Sequence, residues 1–168
     1  MENIKTDRLL LRRPTEGDIA QYIEIMTKPE VTRYLGSGTP LPRERADEGV
    51  GRLLAMFESA WDGGHGVFAV VESASSKIIG YCGIRPIPDG RIEILYGYDP
   101  SAWGKGYATE AGKAVLVYGK ENFGITELIA MSYPQNKGSI AVIEKLGFER
   151  VGEEEHFGKM LEVFVLKF

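Results

Sequence analysis

The chain has 168 residues, and 20 Lys and Arg against 24 Asp and Glu give a formal net charge of -4. That length supports about one domain with a core of its own, and 43% hydrophobic with 26% charged residues excludes a disordered chain. No apolar run approaches the roughly 18 residues of a membrane span, and the mild acidity argues against a protein built to grip nucleic-acid backbones. One cysteine, Cys82, cannot make an intrachain disulfide, and Met1 to Arg13 has no apolar stretch followed by a small-residue cleavage site. These features lead us to expect a reducing, cytoplasmic setting, with neither a membrane nor a nucleic-acid partner.

Without repeats or long linkers, residues 1–168 read as one domain. Asp7 to Arg13 is a short β-rich run stopped by Pro14. Thr15 or Asp18 then caps a helix carrying Ile19, Tyr22, Ile23 and Met26 at helical spacing. Pro29 opens a second short helix through Tyr34, and Gly36 to Pro40 is a loop. Ala46, Val50, Leu53, Leu54, Phe57 and Trp61 form one stripe of a longer helix that Gly63 and Gly64 end. Three β-runs follow, Val67 to Val71, Ile78 to Ile87 and Arg91 to Tyr98, joined by turns short enough for antiparallel hairpins. A glycine loop leads into a helix from Ala108 to Asn122. Then come a strand (Leu128 to Ser132), a helix (Gly138 to Leu146) and strands at Phe148 to Gly152 and Leu161 to Phe168. The strand–helix–strand order in the middle requires a right-handed crossover, and so one parallel pair inside a mostly antiparallel sheet. The fold class is α+β.

The stretch from Tyr96 to Ala111 carries the chemistry. A strand ends at Asp99-Pro100, Gly104 and Gly106 occupy a loop, and a helix begins near Ala108. Glycines let the backbone approach a ligand, and the unbonded N–H groups of a helix start suit an anion such as a pyrophosphate. A plain tight turn explains the same glycines. Two nucleotide folds are excluded. A Rossmann loop needs glycine where Thr109 stands, and a Walker loop needs Ser or Thr after Lys105, where Gly106 stands.

Trp103 to Ala108 resembles the acyl-CoA pyrophosphate loop of GNAT-superfamily N-acetyltransferases, Gln/Arg-x-x-Gly-x-Gly/Ala, with Gly106 and Ala108 matching and Trp103 in place of the Gln or Arg. That replacement is similar to the RimJ/RimL-like branch of ribosomal-protein N-terminal acetyltransferases. Thr6 to Asp18 resembles the opening of that branch, and Asn136 to Phe148 its second signature. The resemblance implies a mixed, mostly antiparallel sheet flanked by helices, with a splayed central parallel pair whose gap admits the pantetheine arm of acetyl-CoA. It makes Arg91 to Tyr98 the first strand of that pair, with Tyr96, Gly97 and Tyr98 beside the pantetheine. Trp103, Gly104, Lys105, Gly106, Tyr107, Ala108 and Thr109 would form the pyrophosphate loop. Gly97, an unusual strand residue, could mark a bulge that opens the gap. Asn136 is the branch's candidate for bonding the pantetheine and Ser139 for meeting the CoA sulfur, although spacing alone reads them as an N-cap and an early-turn residue.

A Glu on the Arg91 to Tyr98 strand often serves the superfamily as a base acting through water. Here that is Glu93, and a cross-strand salt bridge explains it equally well. Glu155 and His156 offer a rival in the late hairpin, where a solvated acidic turn at Glu153 to Glu155 is the plainer reading. Glu110 reads as a partner of the helix dipole, His65 as a turn residue, Trp61 and Phe57 as core, and Cys82 as a buried strand residue near or away from the cleft. No His or Cys lies at metal-ligand spacing, so no metal is expected.

The resemblance therefore implies an acetyl-CoA-dependent N-acetyltransferase in which a primary amine attacks the thioester directly. A protein N-terminal α-amine is the favoured acceptor. The alternatives are a small amine (polyamine, amino acid or aminoglycoside-like compound) or a non-catalytic acyl-CoA-binding domain. The branch builds its acceptor side from segments matching Tyr22 to Leu41 and Glu153 to Met160.

Overall fold

A computed structural model describes residues 3–36, 38–156 and 158–168. The loop expected at Gly36 to Pro40 contains Ser37, which lies outside the described residues. Among the described residues, eight strands form one sheet in the order β1-β2-β3-β4-β5-β6-β8-β7. They are β1 (Ile4–Lys5), β2 (Leu9–Arg12), β3 (Gly66–Glu72), β4 (Lys77–Pro86), β5 (Ile92–Tyr98), β6 (Glu127–Ser132), β7 (Glu149–His156) and β8 (Lys159–Lys167). The helices are α1 (Ile19–Met26), α2 (Pro29–Thr32), α3 (Ala46–Asp62), α4 (Tyr107–Phe123) and α5 (Lys137–Lys145). Among the described residues, no helix is long and apolar enough to cross a membrane.

Strand alternation divides the core in two. Along β3, Val67, Ala69 and Val71 face a cluster with Tyr22, Phe57 and Tyr81, which α1, α2 and α3 cover. Phe68 and Val70 face the opposite cluster, where Ile94, Val115, Leu116, Leu128 and Ile143 bring in α4 and α5. A strand buried on both faces reads as a continuous apolar run, which is how this segment looks in the sequence. Local signals start and stop the helices. The Asp18 carboxylate accepts the Thr15 N–H at 2.7 Å before α1, Pro29 occupies the first position of α2, and Gly124 ends α4 with φ 62°.

Every neighbouring pair of strands is antiparallel except β5 and β6, which α4 connects. That parallel pair has a single register partner, Glu93 with Ile129. Beyond it the strands separate, and Leu95 and Tyr96 are only half buried while their neighbours Ile94, Gly97 and Tyr98 are buried. The splay is therefore a gap in the middle of the sheet, open toward the carboxyl ends of both strands.

Three expectations change. The opening run from Asp7 to Arg13 holds only β2, and a further strand before it, β1, pairs with β2 as a small edge hairpin. The seventh strand continues past Gly152 to His156, so the acidic run is strand rather than turn, and Gly158 with φ 70° lies in the turn region. Charged residues are tolerated there because β7 is the edge of the sheet. Finally, Gly97 is not a bulge. The β4–β5 register runs unbroken from Gly80↔Tyr98 to Pro86↔Ile92, and its cross-strand partner is Tyr81. A Cβ on Gly97 would meet the Tyr81 ring at 2.8–2.9 Å, so glycine there seats an aromatic ring on the strand.

Candidate active site

The loop after β5 is built by short-range contacts. Asp99 accepts the Ser101 N–H at 2.8 Å, and the Trp103 indole N–H donates to the Tyr98 carbonyl at 2.9 Å, leaving the ring half exposed. Gly104 (φ 72°) and Gly106 (φ 81°) take left-handed conformations, and a Cβ on Gly104 would meet nothing within 4 Å. The first bond into α4 runs from the Glu110 N–H to the Gly106 carbonyl, and no side chain among the described residues caps the helix. The N–H groups of Tyr107, Ala108 and Thr109 thus lack intrahelical acceptors, beside the exposed backbone of Trp103, Gly104, Lys105 and Gly106. Such an end, with the helix dipole behind it, can hold a pyrophosphate.

The N-terminal segment braces this loop, and sequence reasoning missed it. The Arg8 guanidinium donates to the Glu110 carboxylate through Nε at 2.7 Å and to the Lys105 carbonyl at 2.9 Å, and it lies 4.4 Å from the centroid of the Tyr107 ring. Glu110 also accepts the Thr6 hydroxyl at 2.6 Å and the Arg8 N–H at 3.0 Å. Partial burial pushes the Glu110 carboxyl up, but the hydrogen bonds from Thr6 and Arg8 outweigh it and hold the group below its ordinary range. Tyr107 adds a bond to Glu72 at 2.6 Å. Glu110 is thus the socket of a clamp rather than only a dipole partner.

The two catalytic candidates lie on opposite faces of the sheet. On the α4–α5 face, Asn136 caps α5 by accepting the Ser139 N–H at 3.2 Å. The Tyr96 hydroxyl lies 2.9 Å from Ser139 Oγ and 3.1 Å from the Ser139 carbonyl. Cys82 pairs with Tyr96 across the strands, fully buried, and burial pushes its thiol up to about 12. The Tyr98 hydroxyl is buried against that thiol, without another hydrogen-bond partner among the described residues.

On the α1–α3 face, Glu93 is buried and paired across the strands with Arg85, whose Nε donates to Oε1 at 2.6 Å. The salt-bridge reading of Glu93 is therefore realised. Both contacts from Arg85 go to Oε1, and no hydrogen bond reaches Oε2 from the described residues. The segment from Lys28 to Gly36 spans the open end of the gap on this face. Lys28 forms an ion pair with Asp99 beyond β5, and the Gly36 carbonyl accepts the Tyr133 hydroxyl at 2.6 Å beyond β6. In the late hairpin, Glu155 is exposed, whereas Arg91 holds both oxygens of Glu154 at 2.8 and 2.6 Å. With His156 3.1 Å away, this draws the Glu154 carboxyl down to about 2. Among the described residues, no group of three His, Cys, Asp or Glu side chains could hold a metal ion.

A parallel pair splayed around a gap, with a bare helix end at its mouth, is the arrangement that the resemblance to CoA-dependent acetyltransferases implies. Residues 8–149 match the family model described as an acetyltransferase (GNAT) domain, and the chain belongs to that family. It is 27% identical to the uncharacterized N-acetyltransferase p20 of Bacillus licheniformis over 98% of this chain and 94% of that one. Its fold is similar to an acetyltransferase from Agrobacterium tumefaciens (TM-score 0.83, 24% identity, 100% of this chain and 95% of that one). It is also similar to RimL, a ribosomal L7/L12 alpha-N-protein acetyltransferase solved with coenzyme A (TM-score 0.80, 16% identity, 99% and 98%).

Proposed function

We propose that the chain transfers acetyl from acetyl-CoA to a protein N-terminal α-amine, by direct attack in a ternary complex and in the cytoplasm. The observation that carries this reading is the placement of Glu93 and Ser139 on opposite faces of a sheet that parts between them. The pyrophosphate lies on the N–H groups from Gly104 to Thr109, with Trp103 and Lys105 beside it. The pantetheine runs along the unpaired edge of β5 at Tyr96, Gly97 and Tyr98, like an added strand, and Asn136 bonds it through its free amide N–H. The amine reaches the thioester carbonyl from the α1–α3 face, under the segment from Lys28 to Gly36. Its nitrogen forms the new C–N bond and loses a proton through water toward Glu93 Oε2. The C–S bond then breaks on the α4–α5 face, where the Ser139 hydroxyl meets the sulfur and the products are an amide and a thiol.

The proton balance supports the α-amine. With a pKa near 8, deprotonation at pH 7 costs about 1.4 kcal/mol, against about 4.6 kcal/mol for a lysine-like amine. Glu93 is occupied by its ion pair with Arg85 and Glu155 is exposed in the late hairpin, so the reading favours the acceptor that asks least of either carboxylate. A weak base suffices for the α-amine only. RimL, named for an alpha-N-protein substrate, points the same way. The test is thiol release with peptides bearing a free N-terminus, the same peptides blocked at the N-terminus but carrying lysine, and a panel of polyamines and amino acids. Free N-terminal peptides should give the highest kcat/KM. A clear preference for a polyamine, an amino acid or the lysine peptide would overturn the acceptor assignment.

A further inference from the structure

We infer that Tyr96 is the positioning residue of the leaving-group side: its phenol donates to Ser139 Oγ and thereby frees the serine proton to face the sulfur of CoA. The inference rests on the reading that Ser139 meets that sulfur.

The hydrogen-bond inventory around Ser139 is small. Its N–H belongs to the Asn136 side chain, which fixes the first turn of α5. Its hydroxyl has one proton and two acceptor positions, and the hydroxyl it touches, that of Tyr96, has one proton. Two arrangements are compatible with the distances. In one, Tyr96 donates to the Ser139 carbonyl and the serine proton is turned inward onto the phenol oxygen. In the other, Tyr96 donates to Oγ and the serine proton is left over. The contact to Oγ, 2.9 Å, lies within the usual O–H···O range, whereas the contact to the carbonyl, 3.1 Å, lies just beyond it. A phenol is also far more acidic than an aliphatic alcohol, so of two hydroxyls in contact it is the better donor. A hydroxyl that accepts a hydrogen bond becomes a stronger donor in turn. The second arrangement is favoured on each count, and it gives the group that the departing thiolate needs.

The placement suits the task. Tyr96 stands past the single pairing point of β5 and β6, at the gap, and packs against the α4–α5 core. Its ring lies 6.2 Å from that of Tyr98, and Cys82 is its partner across the strands. Burial raises the pKa of the phenol above the ordinary tyrosine value, despite the opposing bond from Ser139, so the donor proton is present throughout the physiological range. No proton needs to leave Tyr96. When the C–S bond breaks, the sulfur carries the electron pair as a thiolate, which the Ser139 hydroxyl steadies by donating a hydrogen bond, and water supplies the proton that makes it a thiol.

The experiment is a double-variant cycle with Tyr96→Phe, Ser139→Ala and the pair, reading kcat, KM, the calorimetric Kd for acetyl-CoA and the melting temperature. Tyr96→Phe should lower kcat roughly 2- to 13-fold, as loss of one hydrogen bond between neutral groups does, with Kd for acetyl-CoA unchanged within about twofold. The pair should be no slower than Ser139→Ala alone, because Tyr96 acts through the serine. A defective Ser139→Ala beside a fully active Tyr96→Phe overturns the inference and leaves the reading of Ser139 standing. A fully active Ser139→Ala overturns that reading itself. Multiplying effects in the pair, or equal losses of affinity and rate with a lowered melting temperature, return Tyr96 to a scaffold role. Should Tyr96→Phe fail to fold, 3-fluorotyrosine at position 96 keeps the shape and strengthens the donor. It should raise kcat at constant Kd, and an unchanged kcat overturns the inference.

Discussion

Replacing Arg8 with Met removes three contacts from the loop proposed to hold the pyrophosphate: the ion pair with Glu110, the bond to the Lys105 carbonyl and the stack on Tyr107. The Arg8 side chain is 46% exposed, so solvent screens the ion pair to at most about 1 kcal/mol. The stack on Tyr107 adds roughly 0.5–1 kcal/mol. Stability should therefore fall by about 1–2 kcal/mol, a loss of roughly 2–4 °C in melting temperature for each kcal/mol in a chain of this size. Ligand affinity should suffer at least as much. The clamp presets a loop that binding would otherwise have to order, and its guanidinium lies 3.5 Å from where a Cβ on Gly106 would stand. A loss of about 1–2 kcal/mol in binding is roughly 5- to 30-fold in Kd. Calorimetry with CoA on Arg8→Met, with Arg8→Lys as the variant that keeps charge but not the fork, measures it. A melting temperature that falls while Kd stays within twofold would refute the clamp and leave the N-terminal segment as scaffold.

Gly106→Val should weaken CoA binding sharply in a protein that remains folded, because a side chain would enter the space proposed for the phosphates, in a backbone conformation (φ 81°) that disfavours one; unchanged calorimetric affinity would move the phosphate site elsewhere. Gly97→Ala should cost about 1–3 kcal/mol by overpacking against Tyr81, and most of that cost should vanish when Tyr81 is also Ala; an unchanged melting temperature would mean the ring moves aside freely. Glu93→Gln should lower kcat/KM modestly near neutrality and less at alkaline pH, where an α-amine is already neutral, whereas a flat result for Glu93 beside a large defect in Glu155→Gln would move the base to the hairpin. The Glu154 carboxyl, held down to about 2, stabilises the folded chain above its ordinary range near 4.5 and loses that contribution as pH falls toward 2. Exposure keeps the effect small, so Glu154→Gln should show a slightly shallower decline of melting temperature between pH 5 and 3; identical slopes would refute the coupling to Arg91.

What the sequence made legible was whatever a few adjacent residues decide. Gly104 and Gly106 announce a loop into a helix, Asn136 and Ser139 share one helix turn, and the apolar run from Val67 to Val71 announces a strand. What it hid depends on pairing across distance. Arg8 meets Glu110 across 102 positions and Tyr96 meets Ser139 across 43, and only the assembled sheet brings them together. Gly97 shows the ambiguity best. A strand glycine marks either a bulge or a close approach, and the register that sets Tyr81 against it decides between them. The acidic run at Glu153 to Glu155 looked like a solvated turn because charge masks strand propensity at a sheet edge, where Arg91 and Arg150 neutralise part of it.

The central claim is that the gap between β5 and β6 hands acetyl from CoA to an amine. Its most direct test follows free thiol and the acetylated product together, by thiol assay and mass spectrometry, with the purified chain, acetyl-CoA and a peptide bearing a free N-terminus. Thiol should appear only when the amine is present, in one-to-one step with a product heavier by one acetyl group at the α-nitrogen. Tight binding of acetyl-CoA without amine-dependent thiol release, on this peptide and on every amine of the panel, would contradict the claim and leave a domain that binds acyl-CoA without turning it over.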